Sequence, residues 1–349
     1  MSVPMDRRTF LRSTAATAAA GIAAGHLPPP ALAAGRLRVV LLGTLAGDGL
    51  GGAGNERTGT AIAVEHGGDV VLVGCGFGSI RRLLEAGIET SRLRAALVTR
   101  LTFDQTADLA SLAMGAWSNG SNNGDPASPA ARRRLPILGP AGTQAHLLAY
   151  ARQEALTIDD QYRVLKQVPA FDVFARPRDV TASAVRRRVL RDGTVEVAAA
   201  RLVDPRSVSS GVVVPEALGY RIAAGSSAVA IIGPCAHRDR AVALARGADT
   251  VVCEVVDVEG ARRAARALGS SRAQIAAMQR TWTTPAEAAD LAARAGAGTL
   301  VLAGLVAGRR AGHRPPLAPR YRRLHRTRHR GPGSSPRLNV AAAWPPPVR

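Results

Sequence analysis

A chain of 349 residues has room for one large domain or two small ones, each with an ample core. The formal charge is +20, but Lys166 is the sole lysine, and such arginine-rich, Ala-, Gly- and Pro-rich usage resembles GC-rich coding, which weakens charge as a sign of a nucleic-acid partner. Cys75, Cys235 and Cys253 lie far apart in apolar stretches with no CxxC, which excludes a zinc knuckle or a disulfide framework and fits buried free thiols.

The first 33 residues read as a targeting segment. Asp6-Arg-Arg-Thr-Phe-Leu-Arg-Ser13 resembles the twin-arginine export signal through Arg7, Arg8, Phe10 and Leu11. The apolar run from Ala15 to Ala24 is too short to span a bilayer, which takes about 20 residues. Ala31-Leu-Ala33 is an A-x-A cleavage site, with Ala31 and Ala33 as its small residues. The expectation is export by the twin-arginine route, to a periplasmic, extracellular or envelope-associated location. Residues 1–33 are set apart from the fold.

The remaining elements follow in order. Arg38 to Thr44 reads as a buried strand that enters a glycine-rich loop, Gly47 to Gly59. That loop lacks the Lys-Ser/Thr pair and the following helix of a phosphate cradle. Residues 60–73 read as a β-hairpin turning at Gly67-Gly68, and Gly74-Cys-Gly-Phe-Gly78 leads into a helix over 79–86. Ala95 to Val98 is an apolar run ending in a polar loop. Asp104 then opens a helical segment with Ala107, Leu109, Ala110, Leu112 and Ala113, with Asp104 as its expected cap and Asp108 as a solvated residue. Ser118 to Pro129 reads as a surface loop, and Arg132 to Arg134 as solvated. Leu135 to Pro140 is a strand and turn, followed by a helix over 143–154 that contains His146. Residues 160–200 carry little pattern until the strand Val195 to Leu202. Further strands are expected at 220–223, 228–232, 249–255 and 299–303, with helices at 237–246 and 284–295. Thr284-Pro-Ala-Glu287 is a capping box with Pro at the first helical position.

The stretch from Leu97 to Leu109 resembles the signature segment of the metallo-β-lactamase superfamily, in which a strand ending in Thr is followed by His-x-His-x-Asp-His. The matching positions here are Arg100, Thr102, Asp104 and Gln105. The resemblance continues over roughly 37–306. Gly74-Cys-Gly-Phe-Gly78 matches a turn that usually begins with Asp, and Gly233-Pro-Cys235 stands where the family has Gly-Asp-Thr. Cys253-Glu254 falls in the place of a Val-His-Glu segment, and Pro205, Trp282 and Gly304 occupy other usual histidine positions. Thr106-Ala-Asp108, Ala245-Arg-Gly-Ala-Asp249 and Thr283 to Ala288 place the chain nearest the ribonuclease Z and arylsulfatase-like branch.

The resemblance implies an α/β fold, the four-layer αββα sandwich of the metallo-hydrolases, over 34–307. It also implies a homodimer, and an activity in which zinc activates water against phosphodiesters or sulfate esters. Of the matched positions only Asp104 is a good metal ligand, and it reads as vestigial. His66, His146 and His237, the histidines between the signal and residue 306, cannot assemble a dinuclear site. No catalytic residue is assigned and no cofactor is expected. Cys75, at a glycine-rich turn before a helix, has no His beside it to activate it as a nucleophile. The expected function is a non-catalytic, exported member of the superfamily. One alternative is a zinc hydrolase working with a depleted site of Asp104, His237 and Glu254. The other is a polyanion-binding protein acting through residues 308–349, a basic segment without acidic residues that reads as disordered and suited to weak contact with polyanions or anionic lipid.

Overall fold

Uninterrupted runs of Val, Ile, Leu and Ala supply the strands of this chain, and they fall into two sets. The computed structural model describes residues 35–45, 58–120, 124–203, 216–235, 238–256, 283–306 and 337–339, with scattered positions between 258 and 276. The first sheet runs in chain order: β1 (Arg38–Gly43), β2 (Ala61–His66), β3 (Asp69–Val73), β4 (Leu93–Leu97), β5 (Leu135–Gly139) and β6 (Ala175–Asp179). Its first three strands pair antiparallel and the rest parallel. The helices between its strands are α1 (Ser79–Glu85), α2 (Phe103–Thr106), α3 (Leu109–Gly120), α4 (Thr143–Gln153), α5 (Ala155–Arg163) and α6 (Phe171–Phe174).

The second sheet comprises β7 (Arg187–Asp192), β8 (Val195–Leu202), β9 (Ala217–Ala224), β10 (Ser227–Ile232), β11 (Thr250–Val256), β12 (Thr299–Val306) and β13 (Arg337–Asn339), again in sequential order. Strands β7 to β10 pair antiparallel, and β10 to β13 parallel. Among the described residues, helices α7 (Arg238–Ala245) and α8 (Pro285–Ala295) go with it. At the start of α8, Thr284 Oγ1 accepts from the Glu287 N–H at 3.3 Å. The Glu287 carboxylate in turn accepts from the Thr284 N–H at 2.8 Å, so the capping box forms as read from the sequence.

Burial sorts the apolar side chains into three bodies, and these define the layers. One packs alternate residues of the first sheet, such as Leu72, Ala96 and Ile137, against Leu83, Leu112 and Trp117 of its helices. A second packs Ala230, Cys253 and Leu300 of the second sheet against Leu244, Leu291 and Ala292 of α7 and α8. The third lies between the sheets, where Val71, Leu97 and Leu138 meet Val197, Tyr220 and Val252. Helix, sheet, sheet, helix is the αββα order that the resemblance implied. Tyr220 ties the middle together: its buried hydroxyl donates across the sandwich to the carbonyl of Val98 at 2.9 Å, with Leu138 O at 3.3 Å.

Several local expectations change. The segment opened by Asp104 is two helices, because the Asp108 backbone N–H leaves the helical ladder to donate to Cys75 O at 3.0 Å; the Asp108 carboxylate accepts from the Ile80 N–H at 3.3 Å, serving the N-terminus of α1 rather than solvent. Helix α3 runs to Gly120, so its last turn takes the first three residues of the loop expected from Ser118. Trp117 anchors that turn, with Nε1 donating to Pro169 O at 2.7 Å and its ring edge-on to Phe171 at 5.4 Å. Arg133 is only partly exposed and donates to Leu93 O at 2.9 Å. Elements α5, α6, β6 and β7 carry no legible period because α5 buries no side chain and the two strands are largely solvated. Residues 1–34 lie outside the described residues, as does the segment after residue 306 apart from β13. Among the described residues, no helix is long and apolar enough to cross a membrane.

Tyr220→Phe removes a hydrogen bond that spans the two sheets and leaves the Val98 carbonyl without that donor. The expected loss of unfolding free energy is about 1 kcal/mol. Denaturant titration checks it, and an unchanged midpoint would show that the bond adds nothing.

Candidate functional site

Strand ends β3 and β4 lie side by side, and the loops leaving them are stitched together by backbone. Gly74 N–H donates to Leu97 O at 2.8 Å, Cys75 N–H to Gln105 O at 2.7 Å, and Asp108 N–H to Cys75 O at 3.0 Å. Across the sandwich, the Leu218 N–H of β9 donates to Thr99 O at 2.8 Å. The segment from Thr99 to Thr106 is therefore clamped between the sheets, and its polar side chains face inward. Arg100, Thr102, Asp104, Gln105 and Thr106 are all buried. Gly74 has φ +74°, and a Cβ there would lie 2.6 Å from Thr60 O and 2.7 Å from Gln105 Oε1. A side chain at this turn has no room, because the Thr60 backbone carbonyl and the positive φ both exclude it, with the Gln105 carboxamide close by.

The centre of the site is a guanidinium. Arg100 is 5% exposed, and its Nη2 lies 3.2 Å from Asp104 Oδ2 and 3.5 Å from Glu254 Oε2. Glu254 belongs to β11 of the facing sheet, and its other oxygen accepts from Gln105 Nε2 at 2.9 Å. Both carboxylates are 1% exposed. One guanidinium can neutralise one of them. Burial raises the Glu254 carboxyl to about 7; Arg100 opposes that rise, Asp104 adds to it, and the Gln105 hydrogen bond opposes it. With Glu254 protonated the cluster balances at one positive and one negative charge. Phe103 stacks with Phe77 at 6.1 Å and is 43% exposed, so an aromatic pair marks the solvent side of this loop.

The residues singled out from the sequence land as follows. Arg100, Asp104 and Gln105 come together with Glu254, while Thr102 is buried at the start of α2, where its backbone is extended. Asp104 sits inside the first turn of α2 and binds Arg100; the position before the helix belongs to Thr102, so the capping role expected for Asp104 is not what the fold uses. Pro234 is buried in the turn after β10. Gly304 has φ +65° in β12, where the register against β11 shifts between Glu254 and Val256. His66 lies at the β2–β3 turn, with Thr194 Oγ1 at 3.3 Å from its Nδ1, and His146 lies in α4. Pro205, His237 and Trp282 are outside the described residues, as are signal residues Arg7, Arg8, Phe10 and Leu11 and cleavage residues Ala31 and Ala33. All three cysteines are buried free thiols, and burial pushes the Cys75 thiol well up, which suppresses thiolate chemistry there. The partnership of Arg100 with Glu254 was missed, although an acidic residue inside the apolar run Val251 to Val256 is the signal that a buried carboxylate needs a partner.

The zinc centre implied by the resemblance can be tested against these donors. Zinc takes imidazole nitrogen, thiolate or carboxylate at about 2.0–2.3 Å. A guanidinium offers no acceptor, Pro234 and Gly304 carry no side-chain donor atom, and the Gln105 amide is turned to Glu254. Asp104 and Glu254, the carboxylate donors of the cluster, already share the fixed cation of Arg100. Among the described residues, no three His, Cys, Asp or Glu converge as a metal would require. The described residues of this cluster do not fit a zinc ion.

No family model matches the chain. It is 33% identical over 256 residues to a ribonuclease Z of Mycolicibacterium paratuberculosis (strain ATCC BAA-968 / K-10), covering 71% of this chain and 79% of the relative. Among solved structures it resembles the short form of human tRNase Z, with a TM-score of 0.53 at 18% identity over 76% of this chain and 92% of the other. A diphosphatase from the PhnP family gives a TM-score of 0.53 at 13% identity, over 87% and 95%. These likenesses agree with the layer order described above.

The Glu254 shift has a definite sign. A carboxyl at about 7 in the fold, against 4.5 when free, holds a proton that the unfolded chain has already released. Its contribution to stability is therefore full below about pH 4.5, declines to about pH 7, and is flat above, a loss on the order of 3 kcal/mol. Unfolding free energies measured across that window should fall less steeply in Glu254→Gln than in the parent chain. Parallel curves would contradict the assignment.

Proposed function

The chain belongs to the ribonuclease Z branch of the metallo-β-lactamase superfamily, and from that membership we propose that it is an exported, non-catalytic member that keeps the sandwich as a binding module. One observation supports the reading: a buried guanidinium, Arg100, already pairs with Asp104, which the resemblance sets at a metal-ligand position, and with the Glu254 carboxylate beside it. A fixed positive charge a few ångströms from a metal position opposes cation entry by several kcal/mol in a partly desolvated setting. Without the ion, no bound water is activated and no phosphodiester oxygen is polarised. Export rests on the Arg7-Arg8 signal and the Ala31-Leu-Ala33 cleavage site.

The hydrolase reading draws its support from the relatives named ribonuclease Z. It requires Asp104 and Glu254 to act as ligand or base while each shares the Arg100 cation. That engagement favours the non-catalytic reading.

Elemental analysis of natively purified protein, paired with turnover of a generic phosphodiester, decides between them. The expected result is far less than one zinc per chain and no turnover that a chelator abolishes. About two tightly held zinc ions per chain would overturn the proposal.

A further inference from the structure

We draw no further inference here: the strongest candidate, the apolar face of α4, α5 and the residues just after them, where Leu148, Leu156, Tyr162, Val164 and Leu165 are exposed, carries no proposal because nothing in the structure shows what covers it.

Discussion

Two carboxylates taken out of water must find a cation or a proton, and in this chain Arg100 supplies the cation while burial raises the proton affinity of Glu254. The guanidinium reaches Asp104 on its own loop and Glu254 on the opposite sheet, where the two halves of the sandwich meet. Much of the neighbourhood follows from this. Gln105 turns its amide to Glu254, and the Thr99 to Thr106 segment is held by backbone bonds from Cys75 and Leu218. The cluster is a self-contained answer to a charge problem that relatives with a metal ion would meet differently.

Much of the sandwich could be read before any coordinates. Apolar runs such as Ala228 to Ile232 bury on both faces, and such strands leave an unmistakable imprint. The capping box at Thr284 is local chemistry and needs no tertiary context. What escaped reading was long-range or solvated. Residues α5, β6 and β7 expose most of their side chains, so no hydrophobic period marks them. Asp104 looked like a helix cap because capping is the commonest local use of an aspartate at a helix start. Its real partner, Arg100, lies four residues earlier, and the other carboxylate lies 154 positions away. Asp108 likewise serves the neighbouring helix α1 rather than its own surroundings.

The candidate site was therefore half legible. Arg100, Thr102, Gln105, Pro234 and Gly304, at positions that the resemblance sets for ligands, are visible residue by residue, but the partnership with Glu254 is not, because Glu254 sits in an apolar strand with no motif around it. In the fold the cation, its two carboxylates and the amide fit one another.

The central claim is that the Arg100 guanidinium does the charge-balancing that a metal would otherwise do. The most direct measurement is the thermal midpoint of the full chain and of Arg100→Ala, each in chelator and in excess zinc. The parent midpoint should be the same in both conditions. Arg100→Ala should lose about 3–5 kcal/mol of stability from the carboxylates left unpaired. A parent chain that gains many degrees with zinc, or an Arg100→Ala variant as stable as the parent, would contradict the account.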